Sequence, residues 1–127
     1  MVNFTGAFAG YSCDDLGAAD TFYTKTLGLD TELKPDMEYL SLKLPGAQRV
    51  TLYRKDGHQP ATYTVLNFEV DDIEAAVDSM AAAGVTFDNY GPEWGQDERG
   101  IAREPGGTAI AWFKDPAGNI LAVVSTP

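Results

Sequence analysis

Apolar and polar positions along this chain follow two periods, and the two alternate. Leu40, Leu42 and Leu44 fall on one side of an extended run whose other side carries Tyr39, Ser41 and Lys43, the two-residue repeat of a half-buried strand. Leu16, Ala19, Tyr23 and Leu27 recur instead at helical spacing, as do Ile73, Ala76, Val77 and Met80. The periods predict helices over residues 15–27 and 72–83. Strands are predicted over 6–12, 30–34, 37–44 and 50–53 around the first helix, and over 63–70, 85–88, 108–113 and 120–125 around the second. Both helices open on acidic residues, which complement the helix dipole, and Asp71 stands three residues before Glu74 at capping-box spacing. Gly28 and Gly84 stand where a left-handed C-cap would end each helix.

The two halves are copies of one plan. Asp14-Asp15-Leu16-Gly17-Ala18-Ala19 is echoed by Asp71-Asp72-Ile73-Glu74-Ala75-Ala76, and Leu27-Gly28-Leu29 by Ala83-Gly84-Val85. Late in each half, Pro45-Gly46-Ala47-Gln48-Arg49-Val50-Thr51 lies over Pro116-Ala117-Gly118-Asn119-Ile120-Leu121-Ala122. The polar connector Asp56-Gly57-His58-Gln59-Pro60 separates them. The expected class is α+β: one domain, residues 1–127, made of two tandem βαβββ modules over 1–57 and 58–127. One departure is a long excursion after residue 88, Tyr90-Gly91-Pro92-Glu93-Trp94-Gly95-Gln96-Asp97-Glu98-Arg99-Gly100, where the first module has only a short turn.

Charge and composition narrow the function. A formal net charge of -10 argues against nucleic acid or an anionic membrane as partner, and its scatter along the chain reads as solubility. A single cysteine, Cys13, excludes an internal disulfide and a cysteine-based zinc cluster. No apolar run approaches a membrane span and the N-terminus carries no signal-peptide charge pattern, so a cytoplasmic location is expected. No serine, histidine and acid stand at nucleophile-elbow spacing, and no glycine-rich phosphate loop precedes a helix. The one histidine, His58, reads as a solvated residue of the connector.

Phe22-Tyr23 with Leu27-Gly28-Leu29, and Phe113-Lys114-Asp115-Pro116-Ala117-Gly118-Asn119, resemble the motifs of the vicinal oxygen chelate superfamily. That superfamily includes glyoxalase I, the extradiol dioxygenases, fosfomycin-modifying enzymes and bleomycin-binding resistance proteins. The resemblance spans nearly the whole chain. It implies paired βαβββ modules whose mixed sheets curl to enclose a cavity, usually completed in a homodimer. Its enzymes hold a divalent metal on the first and last strands of each module. By that register the ligand positions fall at Phe8, Val65, Ala122 and Thr51, none of which supplies the imidazole or carboxylate such a site uses. The chain thus matches the scaffold and departs from the chelate, so no metal and no other cofactor is expected.

Facing the same cavity, the resemblance and strand alternation together place Phe8, Thr51, Tyr53, Val65, Asn67 and Ala122, with Tyr39 and Ser41. Trp112 and Ile110 share one face of their strand. Trp94 is a candidate cap on the cavity, and Arg103 a candidate anchor for an anionic group. This lining suits a small, apolar or aromatic ligand. Two readings stay open. One is a metal-independent binding protein of the bleomycin-resistance type, working as a homodimer with an apolar interface at the first strand. The other is an enzyme of the same superfamily, of lyase, isomerase or dioxygenase type, with Tyr53, Glu69 or Arg103 as acid, base or anion anchor.

Overall fold

The computed structural model describes residues 1–127 and divides them into two compact units, Met1–Gln59 and Pro60–Pro127. In the first unit, strand β1 (Ala9–Cys13) leads into helix α1 (Leu16–Thr21), which continues as a π-helical turn over Phe22–Thr26. Strands β2 (Asp30–Lys34), β3 (Tyr39–Leu44) and β4 (Gln48–Arg54) follow and complete an open sheet of order β1-β4-β3-β2. The second unit contains β5 (Thr64–Glu69), α2 (Ile73–Ala82), β6 (Ala102–Arg103), β7 (Ala109–Lys114) and β8 (Ile120–Ser125), ordered β5-β8-β7-β6. In each unit the first and last strands run parallel and the other pairings are antiparallel. The fold is α+β, two tandem modules of one design.

Local chemistry explains the helix limits. The Asp15 carboxylate accepts the Ala18 N–H at 3.0 Å and that of Asp72 accepts the Ala75 N–H at 3.1 Å, each contributing about 1 kcal/mol of capping. The second cap is therefore Asp72, not Asp71, and the expected capping box with Glu74 does not form. Nor is there an acidic residue inside the first turn of α1. Gly84, at φ +101°, ends α2: its N–H bonds to the Ala81 carbonyl at 3.0 Å, and the Val85 N–H bonds to that of Met80 at 3.0 Å. Gly28, at φ +75°, closes the first helix in the same left-handed way.

The cores follow the alternation. In the first sheet Leu40, Leu42 and Leu52 are fully buried, with Val50 and Tyr11 close behind, while Tyr53 is exposed. In the second sheet Ala109, Ala111 and Phe113 of β7, with Leu121 and Val123 of β8, form the buried layer. Phe87 packs edge-on against Phe113 with ring centroids 5.7 Å apart. The family-like motifs serve this packing: Tyr23 is buried with its hydroxyl 2.7 Å from that of Tyr11, and Phe22 meets its ring edge-on at 5.2 Å. The Asp115 carboxylate accepts the N–H groups of Ala117 and Asn119 and the Asn119 amide, shaping the last turn. These residues specify a fold and leave its chemistry open.

One strand differs from expectation. Residues 85–88 contribute only a bridge between Phe87 and Phe113, and the edge of the sheet resumes after the excursion at β6. Both contacts lie on β7, so the excursion interrupts a single sheet edge.

Candidate functional site

The register of β5, β7 and β8 separates two faces. Ala109, Ala111 and Phe113 lie toward α2; Ile110, Trp112 and Lys114 face the other way, with Ile120, Ala122 and Val124 beside them on β8 and Asn67 and Glu69 beyond on β5. On this second face the unit carries an open-sided cavity of about 670 Å³. Trp112, Lys114, Ile120 and Thr64 line it from the sheet, Tyr63 and the Pro60–Thr62 segment from the connector, and Tyr90 and Trp94 from the excursion. Tyr90 meets Trp112 edge-on at 6.2 Å. Lys114 is the one charged side chain of the lining, its ammonium 3.6 Å from the Asp88 carboxylate.

The excursion is ordered by its own polar residues. Gln96, 6% exposed, accepts the Tyr90 N–H through Oε1 at 2.7 Å, while its Nε2 donates to the carbonyls of Asp88 at 3.0 Å and Gly100 at 2.8 Å. Asn89 donates to the Asp97 carbonyl and accepts the Gly91 N–H. Burial pushes the Asp97 carboxyl up, but the Arg103 guanidinium at 2.8 Å and the N–H groups of Ile101 and Arg99 outweigh it, so its pKa lies below the usual aspartate range. Its ion pair is therefore kept at neutral pH and lost only as acid titrates through that lowered pKa. Arg99 reaches α2, donating to the Glu74 carbonyl at 2.8 Å and the Asp78 carboxylate at 2.6 Å. The loop thus holds Tyr90 and Trp94 over the sheet as a shaped rim.

Of the sequence-nominated residues, Trp94 and Trp112 are brought together here. Ala122 and Asn67 stand next to Trp112 in one row across the sheet, outside the cavity lining. Val65 falls at a register shift: Thr64 pairs with Ile120 and Leu66 with Leu121, which gives Thr64 the cavity position. Arg103 lies on the α2 face, ion-paired with Asp97 and 3.8 Å from Glu74, so it does not reach this cavity. Glu69, the candidate base, is on the same face in the row of Val124 and Ile110, outside the cavity lining. In the first unit, Tyr39 and Tyr53 are paired across β3 and β4, with Ser12 next in the row; Ser41, Thr51 and Gly10 form the row beside them. Phe8 lies beneath the Arg49 guanidinium, 4.1 Å from the ring centroid.

His58 is not a solvated residue: it is half-buried, and its Nδ1 lies 2.7 Å from the Ser12 hydroxyl. Tyr63, Tyr90 and Lys114 were missed as lining residues. Lys114 had a signal, standing two residues after Trp112 and so on its face of the strand. No group of three histidine, cysteine, aspartate or glutamate side chains is placed to hold a metal ion. Thr51 pairs with Gly10 and Ser41, and Ala122 with Asn67 and Trp112. Imidazole and carboxylate donors are absent from those positions, so the residues do not fit a divalent centre. No helix is long and apolar enough to cross a membrane.

Residues 7–123 match the family model described as the Glyoxalase/Bleomycin resistance protein/Dioxygenase superfamily. The chain belongs to that superfamily. Among solved structures, a superfamily member from Sphaerobacter thermophilus is 27% identical, with TM-score 0.70 over 94% of this chain and 97% of that one. An antibiotic-binding protein, TnmS3, from a Streptomyces species is 23% identical, with TM-score 0.68 over 96% and 97%. A lactoylglutathione lyase from Agrobacterium tumefaciens is also 23% identical, with TM-score 0.66 over 97% and 95%. Such superfamily neighbours differ in activity, so at these identities the likeness establishes the shared fold. No functionally curated protein matches the chain.

Proposed function

We propose that this superfamily member is a metal-independent binding protein that holds a small apolar or aromatic molecule in the cavity of its second module. The observation that carries this is the lining itself: Tyr63, Tyr90, Trp94 and Trp112 surround about 670 Å³, the volume of a ligand site, with few polar groups. Aromatic rings offer large apolar area with little conformational entropy to lose on binding, and their faces and edges favour a planar ligand. The donor set at the superfamily's ligand positions supports binding without a metal, as argued above. The antibiotic-binding neighbour supports the same reading by analogy of scaffold.

Both tryptophans of the chain line this cavity, so their emission reports directly on its occupancy. Titration with 2-naphthalenemethanol, corrected for absorption by the probe, is expected to change tryptophan emission saturably in the micromolar range, with the same curve after dialysis against EDTA. A linear, non-saturating response would remove the reading, and binding abolished by the chelator would replace it with a metal-dependent one.

The working unit in this proposal is a homodimer. Val2 and Phe4 are 73% and 85% exposed and Phe8 57%, an apolar N-terminal segment suited to cover by a second copy. Replacing Phe4 and Phe8 with serine is expected to lower the dimer fraction in sedimentation. A wild-type chain that sediments as a monomer at micromolar concentration excludes this part.

A further inference from the structure

We propose that the preferred ligand is a planar aromatic acid, its ring system against Trp112 and its anionic group on the Lys114 ammonium; this rests on the binding reading above. Lys114 is the sole charge among the lining residues. It extends from the same face of β7 as Trp112, two positions on, which sets the two side chains about 7 Å apart along the strand. A fused bicyclic ring with a carboxylate on its edge matches that spacing.

The environment of Lys114 supports the assignment. Asp88 Oδ2 is buried without a hydrogen bond and sits 3.6 Å from the ammonium. That separation is a charge contact, which positions the ammonium while leaving its N–H donors for a ligand oxygen. Long-range electrostatics act the other way, since a net charge of -10 repels an approaching anion. The preference must therefore come from the local contact, well inside the Debye length of roughly 8 Å. Four surrounding rings could instead attract a quaternary ammonium through their faces. A fixed ammonium in the same cavity disfavours that ligand, and the experiment includes it.

Calorimetric titrations of the full chain with three probes of one shape test the idea: 2-naphthoate, 2-naphthalenemethanol and a 2-naphthyltrimethylammonium salt. 2-Naphthoate is expected to bind about 10-fold more tightly than the alcohol, the scale of a charge-assisted hydrogen bond at a half-exposed site, and the ammonium compound most weakly. In Lys114→Gln the naphthoate advantage disappears, so that acid and alcohol bind alike, with circular dichroism checking that the variant stays folded; Lys114→Arg retains the advantage. Equal binding of naphthoate and alcohol to the wild type, or an advantage that survives in Lys114→Gln, overturns the assignment and leaves the binding reading standing. Tightest binding of the ammonium compound overturns it in favour of a cationic ligand. Failure of all three probes to bind removes both.

Discussion

Trp112→Ala is expected to weaken binding of a neutral planar aromatic by about 30-fold, the largest functional effect of any single change in this chain. The indole stands on the cavity face of β7, half-buried, with Tyr90 edge-on at 6.2 Å. Removing it takes away the broadest apolar surface of the cavity floor and the partner that orients Tyr90. A loss of about 2 kcal/mol corresponds to that fold-change and is the usual scale for an aromatic anchor at the centre of a contact. Trp94→Ala should cost far less, because Trp94 is 68% exposed at the rim. Trp112→Phe should recover most of the affinity, since a ring remains. Calorimetry with 2-naphthalenemethanol measures all three variants, and circular dichroism checks that each stays folded. Wild-type affinity in a folded Trp112→Ala protein would show that the ligand sits elsewhere.

The contrast between Trp112 and Val65 shows where sequence reading succeeds in this fold and where it stops. Strand parity puts Ile110, Trp112 and Lys114 on one face, and parity is fixed by the pleat of the chain. The side that faces the helix is decided by packing: Ala109, Ala111 and Phe113 are buried there, a fact no single strand reveals. The register of the resemblance assigns Val65 to the cavity, and that register breaks at the shift between Thr64 and Leu66. Residues 85–88 carry strand-forming valine, threonine and phenylalanine, yet only Phe87 finds a bridge partner before the chain turns into its excursion.

Long-range polar contacts were the other hidden layer. The partner of His58 is Ser12, 46 positions away, and no local period encodes it. Gln96 lies in a run of glycine and charged residues whose composition reads as surface, yet it is buried and its amide makes three hydrogen bonds to the backbone of the excursion. By contrast, both modules, both helices and the last turn were legible, because capping, periodicity and turn chemistry act over a few residues. Hence the fold was largely written in the sequence, and the cavity only in part.

Gln96→Leu is expected to lower stability by about 3 kcal/mol and the melting temperature by about 10 °C. Leucine nearly matches glutamine in size, so the packing is kept and the hydrogen bonds alone are removed. The Tyr90 N–H loses its acceptor, and the carbonyls of Asp88 and Gly100 lose a donor, in a place only 6% exposed. Each buried group left unsatisfied costs about 1–3 kcal/mol, and the loop limits the total by opening to water. That opening links stability to function. Tyr90 and Trp94 would lose their fixed positions over the cavity, so naphthalene probes should dissociate faster and Trp94 emission should move to the red. Amide hydrogen exchange should rise across residues 89–101 while β7 and β8 keep their protection. Gln96→Glu retains the acceptor for Tyr90 but aims a carboxylate oxygen at the Asp88 and Gly100 carbonyls, and should be at least as destabilising as leucine at neutral pH. Unchanged exchange in the excursion of Gln96→Leu would mean that Arg99 and its contacts with α2 suffice to hold the rim.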